Sequence, residues 1–119
     1  MHIHDRKKRD WIRKKFENLQ YHPLNEEEKL TCYKRINETH SWANFLAQKF
    51  NTMKRFGIEG CESFIPGLKF CMDKATENGA RTFIIGMPHR GRLNCLANVV
   101  KKPKEVIMAE FLGAIPTAG

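Results

Sequence analysis

The sequence has no long hydrophobic run. No stretch approaches the roughly 20 consecutive apolar residues that a membrane-spanning helix requires. The N-terminal part is basic and polar with no apolar stretch behind it, so the pattern of a secretory signal peptide is missing as well. Hydrophobic residues still make up 41% of the 119 residues and charged residues 29%. That balance is typical of about one small globular domain and argues against a disordered chain.

No two of the cysteines stand in a C-x-x-C pair. This absence argues against a zinc ribbon and against a thioredoxin-like redox motif. The four cysteines, Cys32, Cys61, Cys71 and Cys95, lie among apolar neighbours, which predicts buried free thiols. A reducing compartment is the simplest inference.

Acidic residues are outnumbered: 13 Asp and Glu stand against 21 Lys and Arg, for a formal net charge of +8. Much of the excess lies in one N-terminal run whose only acids are Asp5 and Asp10. Such a charge permits binding to nucleic acid, anionic lipid or an acidic protein without showing any of them. A solvated helix face is the simplest explanation. The acids and the lack of serine in the run argue against a transit peptide. The basic residues are Arg6, Lys7, Lys8, Arg9, Arg13, Lys14 and Lys15.

Capping signals and apolar spacing predict three helices in the first half. Asp5 can cap a helix that runs to about Glu17. Asn25, with Glu28 three residues later, resembles a capping box and predicts a second helix to about Glu38. A third helix begins at Thr39 or Ser41. Its amphipathic stripe is the strongest in this half and is far more typical of core packing than of a cofactor site. The stripe consists of Trp42, Phe45, Leu46 and Phe50.

Two further helices are predicted in the second half, apart from the central stretch. One runs from about Cys61, tolerates Pro66 only near its first turn or at a kink, and ends at Gly79. The other follows Pro103, which suits the first turn of a helix. Between the first-half helices and these, the two glycines of residues 56–60 indicate unusual backbone angles or a close backbone approach.

The central stretch, Thr82–Val100, combines an apolar run, a break and a helix. Phe83–Ile85 reads as a buried strand, and a helix begins near Gly91. His89 can exchange a proton near neutral pH, and Arg90 carries a permanent charge suited to phosphate or carboxylate. A helix N-terminus would add free N–H groups. The residues therefore allow an anion site beside a histidine, although spacing alone somewhat favours an ordinary surface turn.

The predicted element order is four helices, one strand and two helices. A parallel sheet cannot be made from one strand. Because Phe83–Ile85 is apolar throughout, it resembles a strand that is covered on both faces. The strand therefore requires neighbours that this chain does not contain, which indicates that the chain is a piece of something larger.

Two long blocks, KRFGIEGCESFIPGLK at Lys54–Lys69 and IIGMPHRGRLNCLANVVKKP at Ile84–Pro103, resemble the thiamine-dependent first component of the 2-oxoglutarate dehydrogenase complex. The upstream region resembles the same family, and the likeness weakens only at Phe111–Gly119. The resemblance implies an α/β class: a mostly helical fragment of a thiamin-diphosphate-binding fold with one core strand. Residues 1–53 would be a helical segment that precedes the cofactor domain, and residues 54–119 would be its truncated start.

The resemblance also implies roles for two residues. Arg90, in the MPHRGRLN motif, matches the arginine that contacts thiamin diphosphate. His89 matches an active-site histidine that contacts substrate or intermediate, where it could donate to a developing oxyanion or a carboxylate. Arg92 is interpreted as structural. Glu59 and Glu62 are not assigned to catalysis, since bonding to nearby backbone or arginine explains them better.

The departures from the family are equally informative. Its Gly-Asp-Gly-like motif and the later asparagine, which bind Mg²⁺ and diphosphate, are absent here, so no metal ligand is assigned to this chain and the Mg²⁺ ligands are expected downstream. The family implies oxidative decarboxylation of a 2-oxo acid, acyl transfer to a lipoyl-bearing acyltransferase component, and a homodimer in the full-length protein. It implies the mitochondrial matrix in a eukaryote and the cytoplasm otherwise. We expect the chain alone to be inactive.

Two other functions are compatible with the residues. One is a non-enzymatic basic module for nucleic acid or an acidic protein, although no RNA-binding motif accompanies Trp11 and Phe16, so nucleic acid is not favoured. The other is a regulatory fragment that occupies subunit contacts of a full enzyme. The residues do not distinguish 2-oxoglutarate from 2-oxoadipate as the parent substrate; the resemblance favours 2-oxoglutarate.

Overall fold

The computed structural model describes residues 2–18 and 23–114. Within these ranges the chain is mostly helical. Helix α1 is Arg6–Glu17, α2 is Glu26–Lys49, α3 is Phe64–Glu77, α4 is Arg92–Asn94 and α5 is Lys104–Phe111. A π-helical segment, Cys95–Val99, continues α4 without a break. The predicted small-residue tail lies mostly outside the described residues.

The first two helices begin at the predicted caps. The Asp5 carboxylate accepts from the backbone N–H groups of Lys7 and Lys8, at 2.8 and 3.2 Å. Asn25 and Glu28 exchange side-chain and backbone hydrogen bonds of 2.9 Å in both directions, which completes a capping box. Both caps satisfy N–H groups that a helix N-terminus leaves without intrahelical partners.

The predicted break between the second and third helices is wrong, because α2 runs unbroken through Thr39 and Ser41. The Thr39 hydroxyl does not cap a new helix. It donates to the Arg35 carbonyl one turn earlier, at 2.7 Å, and its side chain is fully buried. A threonine inside a helix can make this bond, so its presence did not mark a boundary.

Helix α3 begins three residues later than predicted, at Phe64, and Pro66 lies in its first turn, where no intrahelical N–H bond is lost. Gly79 follows the C-cap with φ of 91°, which confirms it as the terminator.

Two apolar clusters form the core. The first joins Trp42 and Leu46 of α2, and Phe50 at its C-cap, to Ala97 and Ile107. It confirms these three members of the predicted stripe as packing residues, whereas the fourth, Phe45, is 42% exposed. The second consists of Ile58, Ile65, Cys95 and Val99. The π-helical segment therefore contributes to both clusters. Each large side chain buried in this way stabilises the fold by roughly 1.5–3 kcal/mol.

Buried polar groups fix α4 against α2. The Asn94 amide donates to the Thr39 carbonyl at 3.3 Å and accepts from the Asn98 amide at 2.6 Å. The Trp42 indole N–H donates to the Leu93 carbonyl at 3.3 Å. These bonds satisfy polar atoms that would otherwise cost free energy in the core.

The predicted core strand is absent from the described residues. Residues 80–88 form neither helix nor strand. Ile84 is 96% exposed, and Phe83 and Ile85 are each 39% exposed, so the predicted burial is also wrong. The physical reason is that a strand needs a neighbouring strand for its hydrogen bonds, and the described residues supply none.

All four cysteines are free thiols, as predicted, but only Cys95 is buried. Cys61 and Cys71 are exposed, so their apolar neighbours in sequence were misleading. Burial raises the pKa of the Cys95 thiol, which disfavours its reactive thiolate form. The described helices include none that is both long enough and apolar enough to cross a membrane.

Candidate active-site corner

The two sequence blocks meet at Gly91. Its N–H donates to the carbonyls of Phe56 and Gly57, both at 3.0 Å. Its φ is 72°, and a β-carbon at this position would lie 2.8 Å from the Ile58 Cδ1 atom. Only glycine combines this backbone angle with this close approach. The turn before α4 is therefore fixed onto the loop at residues 56–59.

An aromatic ring from that loop supports the turn. The rings of Phe56 and His89 are stacked, with centroids 4.9 Å apart and planes at 15°. The Arg92 guanidinium lies 5.1 Å from the centroid of the same ring, and it also donates to the Pro88 carbonyl. Phe56 itself has φ of 49°, an uncommon angle for a large side chain. The ring orients His89 without covering it, since the histidine stays exposed.

Arg90 is exposed and lies beside the same loop. Its Nη1 group donates to the Glu59 carbonyl at 3.3 Å. Within residues 2–18 and 23–114, no carboxylate oxygen lies within 4.0 Å of the Arg90 guanidinium. A guanidinium that is held by one neutral acceptor keeps its other N–H groups for an anion and carries an uncompensated charge.

The structure thus anchors His89 and Arg90 to one loop, through Phe56 and Glu59. We call this place, made by residues 56–59 and 88–92, the basic corner. The N–H groups at the start of α4 are partly occupied, because those of Gly91 and Arg92 donate to carbonyls of the protein. The predicted supply of free N–H groups at this helix start is therefore wrong for these two residues, and the anion-binding capacity rests on side chains.

Glu62 stabilises the turn that directly follows residues 56–59 of the basic corner. Its carboxylate accepts from the Gly60 N–H at 3.0 Å. Hydrogen bonds from its own N–H and that of Gly60 lower the pKa of this carboxyl, since they favour the charged form. Glu62 therefore remains an anion that holds a turn, which agrees with leaving it outside catalysis.

A cleft of about 480 Å³ adjoins the corner and shares Phe56 and Arg92 with it. Its floor is apolar, so it can receive a largely uncharged group next to the charged corner. The residues that complete the lining of the cleft are Met53, Lys54, Leu93, Leu96, Ile107, Glu110 and Phe111.

The described residues include no group of three or more His, Cys, Asp or Glu side chains that could hold a metal ion.

Sequence reasoning placed His89 and Arg90 in the turn but missed the side chains that support it. Phe56 precedes His89 by 33 residues, and no periodic pattern connects the two. The glycines of residues 56–60 did signal a close backbone approach, and Gly57 and Gly91 now account for it. Asn94 and Asn98 were also missed, although their spacing of four places them on one helix face.

No family model matches the chain. Individual proteins nevertheless match nearly the whole chain. A 2-oxoglutarate dehydrogenase, mitochondrial, of Dictyostelium discoideum is 48% identical over 97% of this chain. A 2-oxoglutarate dehydrogenase-like protein, mitochondrial, of Pongo abelii is 47% identical over 93%, and the Schizosaccharomyces pombe 2-oxoglutarate dehydrogenase is 40% identical over 94%.

The match spans 11% of the length of each of these relatives. Identity of 40–48% that extends over nearly the whole chain confirms the resemblance seen in the two sequence blocks. The chain is thus homologous to one segment, about a ninth in length, of the mitochondrial 2-oxoglutarate dehydrogenases.

Proposed function

We propose that this chain forms the part of a 2-oxoglutarate dehydrogenase that binds the diphosphate of thiamin diphosphate through Arg90 and presents His89 to the 2-oxo acid. The observation that carries the proposal is the 40–48% identity to proteins of that name across nearly the whole chain. The free N–H groups of Arg90 support it, because diphosphate oxygens are acceptors that a guanidinium binds well.

The proposed reaction is oxidative decarboxylation of 2-oxoglutarate with transfer of the acyl group to a lipoyl group. When bound, thiamin diphosphate supplies the nucleophile and the electron sink that this chemistry requires. Arg90 holds a diphosphate oxygen by a charge-assisted hydrogen bond. His89, with its ring fixed against Phe56, donates a hydrogen bond to a substrate carboxylate or to a developing oxyanion.

The remaining parts of the site come from residues outside this chain. They include the Mg²⁺ ligands and the neighbouring strands of an α/β thiamin-diphosphate-binding fold, in which Phe83–Ile85 would be a paired core strand. A homodimer, a lipoyl-bearing acyltransferase partner and a mitochondrial location belong to the same proposal. Segments 1–53 and 54–119 stay a proposed division, and residues from both sides share the Trp42 cluster.

A chimera tests the proposal in a complete enzyme. This chain replaces the homologous segment of the Dictyostelium discoideum protein, and decarboxylation of 2-oxoglutarate is measured against thiamin diphosphate concentration. Arg90→Ala should raise the cofactor concentration for half-maximal rate about 10- to 100-fold, the cost of losing a hydrogen bond to a charged group. His89→Ala should lower kcat by about 10²–10³-fold, as expected for a donor to a developing oxyanion.

Arg81→Ala is the matched control, because Arg81 is also an exposed arginine but lies outside the basic corner. It should leave both constants unchanged. Equal effects of Arg81→Ala and Arg90→Ala would contradict a specific role for Arg90. The isolated 119-residue chain should release no carbon dioxide from 2-oxoglutarate with cofactor and Mg²⁺ present, and cofactor-dependent release would refute its dependence on residues outside the chain.

A further inference from the structure

Arg92 contacts both the turn that carries His89 and the ring on which His89 is stacked. Its guanidinium donates to the carbonyl of Pro88, the residue before the histidine. Its backbone N–H donates to the carbonyl of His89 itself, at 3.0 Å. The same guanidinium lies 5.1 Å from the centroid of the Phe56 ring. One arginine therefore joins the backbone of the histidine to the aromatic ring that supports its side chain.

The His89 ring is held by stacking rather than by hydrogen bonds. Phe56 lies against it with ring centroids 4.9 Å apart and planes at 15°. Within residues 2–18 and 23–114, no side chain or backbone group bonds to a ring nitrogen of His89, whereas the His40 ring bonds to the Asn44 amide at 2.9 Å. A hydrogen bond to one nitrogen commonly fixes the orientation of a functional histidine. In His89 that task falls to Phe56, and both nitrogens keep their hydrogen-bonding capacity.

Phe56 is in turn held by contacts from the turn before α4. Its φ of 49° is uncommon for a large side chain. Such a backbone angle persists only where the surroundings determine it, and it occurs often at functional sites. The Phe56 carbonyl accepts from the Gly91 N–H at 3.0 Å, and its ring meets the Arg92 guanidinium. The position of the ring against His89 therefore depends on Arg92 as well as on the backbone.

The two arginines of the basic corner differ in how far the protein already uses them. Arg90 is exposed, and its side chain makes one hydrogen bond, to the Glu59 carbonyl at 3.3 Å. Arg92 is half-buried, and its side chain contacts both a carbonyl and a ring. No carboxylate within the described residues lies within 4.0 Å of either guanidinium. Arg90 thus keeps N–H groups for an anion, whereas Arg92 is engaged with the residues around His89.

We infer that Arg92 is a positioning residue that fixes the imidazole of His89 through Phe56 and Pro88. A planar guanidinium can lie against an aromatic face and donate to a carbonyl at the same time, whereas an ammonium is a compact charge that does not reproduce both contacts. A donor to developing charge is effective when its orientation is fixed in advance by the residues around it. The action of His89 on a 2-oxo acid rests on the proposed function, but the contact that orients its ring does not.

NMR of the 119-residue chain tests the contact without any measurement of activity. Protons held over the face of an aromatic ring resonate upfield, so the ring protons of His89 should lie upfield of those of an exposed histidine. Their loss in His89→Gln assigns them. Phe56→Leu should remove the upfield shift, and Phe56→Tyr, which keeps the ring, should retain it. Arg92→Lys should move the His89 resonances most of the way to their positions in Phe56→Leu.

Arg35→Lys is the matched control. The Arg35 guanidinium also lies over a phenyl ring, 4.8 Å from the centroid of Phe70, but Arg35 belongs to α2 and lies outside the basic corner. The control should leave the His89 resonances unchanged even where it lowers the melting temperature. Unchanged His89 resonances in Arg92→Lys, with circular dichroism like that of the parent chain, would overturn the inference, and so would equal changes in Arg35→Lys. Unchanged resonances in Phe56→Leu would reject the same contact by an independent variant.

Kinetics of the chimera test the role of the contact in the proposed reaction. Arg92→Lys should lower kcat about 10- to 100-fold, the range expected when a catalytic group is displaced by about 1 Å. It should leave the thiamin diphosphate concentration for half-maximal rate unchanged, because Arg90 is intact.

The double variant His89→Ala/Arg92→Lys separates positioning from an independent role. It should be no slower than His89→Ala alone, since a residue that acts through another has no further effect once that residue is removed. A further loss as large as that of Arg92→Lys alone would overturn the inference. An unchanged kcat in His89→Ala, together with the NMR shift in Arg92→Lys, would reject the proposed function and still support the positioning of His89 by Arg92.

Discussion

Helix α1 and the second half of α2 both carry aromatic residues at helical spacing, but in opposite environments. Each places one tryptophan and one or more phenylalanines at helical spacing. In α1, Trp11 and Phe16 are mostly exposed; Trp42 of α2 is 4% exposed and Phe50, at the C-cap of α2, is 8% exposed. An amphipathic pattern therefore defines which side of a helix is apolar, but it does not determine whether anything covers that side.

The difference comes from residues far along the chain. The α2 stripe is covered by Ala97 and Ile107, which lie roughly 50 residues or more beyond it in sequence. The Phe50 and Phe111 rings are stacked with centroids 4.6 Å apart, and Trp42 donates to the Leu93 carbonyl. Within the described residues, α1 has no such partners that bury it. The same pattern thus stabilises the fold in one helix and stays exposed in the other.

The largest expected effect is on stability at Trp42. Trp42→Ala should lower the free energy of unfolding by about 3–5 kcal/mol, since it leaves a cavity in the core and an unpaired Leu93 carbonyl. Trp11→Ala should change it by less than about 0.5 kcal/mol. Urea unfolding followed by circular dichroism measures both, because this signal does not depend on either tryptophan.

Similar losses in the two variants would break the comparison, because they would mean that α1 is covered in solution. A small loss for Trp42→Ala together with a large loss for Trp11→Ala would reverse it. Phe16→Ala offers an independent check on α1, with the same small expected effect, since Phe16 is 71% exposed.

The parts of the fold that depend on neighbours in sequence were predictable. The caps at Asp5 and Asn25 and the terminator at Gly79 follow from side-chain and backbone chemistry within a few residues. The continuity of α2 through Thr39 was not predictable, because a capping hydroxyl and a hydroxyl bonded within a helix have the same local sequence. The strand at Phe83–Ile85 has the right composition, but composition cannot supply the neighbouring strand that its hydrogen bonds require.

The candidate site also has a part that could be predicted from neighbouring residues and a part that depends on residues distant in sequence. The turn that carries His89 and Arg90 before a helix could be predicted, because a short apolar run is followed by Gly86 and Pro88. Phe56 could not, since its contact with the His89 ring joins two segments whose sequences do not signal each other. The roles of His89 and Arg90 came from resemblance, and they stay predictions until the chimera is measured.

A second, smaller effect concerns two glycines with opposite surroundings. Gly91→Ala should lower the free energy of unfolding by about 2–3 kcal/mol, because it places a side chain at φ of 72° and against Ile58. Gly67→Ala should raise it by about 0.5–1 kcal/mol, since Gly67 lies in α3 and a β-carbon added there would meet no atom within 4 Å. Thermal unfolding of the two variants measures both signs.

Unchanged stability in Gly91→Ala would mean that the basic corner is not fixed to the loop at residues 56–59. The hydrogen bonds from Gly91 to Phe56 and Gly57 would then not contribute to the position of His89. In the chimera, the same variant should lower activity as well, whereas Gly67→Ala should leave activity intact.

The smallest expected effect compares an ion pair between helices with one inside a helix. Asp73 of α3 is 2.5 Å from Lys69 and 3.2 Å from Arg35 of α2, and chiefly the Lys69 hydrogen bond lowers its pKa below the ordinary value of 3.8. Glu77 pairs only with Lys74, in the same helix, among the described residues. Both acids are partly exposed, so solvent screens each pair.

A lowered carboxyl pKa stabilises the fold above the unfolded pKa, and that stability is lost as the pH falls through the folded pKa. Asp73→Asn should therefore lower the free energy of unfolding by up to about 1 kcal/mol at pH 6, and the difference from the parent chain should shrink below about pH 4. Glu77→Gln should cost about 0.3–0.5 kcal/mol at most. Urea unfolding at pH 6 and pH 3 measures the differences. A constant deficit for Asp73→Asn at both pH values would show that the charge of Asp73, which Lys69 and Arg35 pair with, does not contribute to the free energy of unfolding.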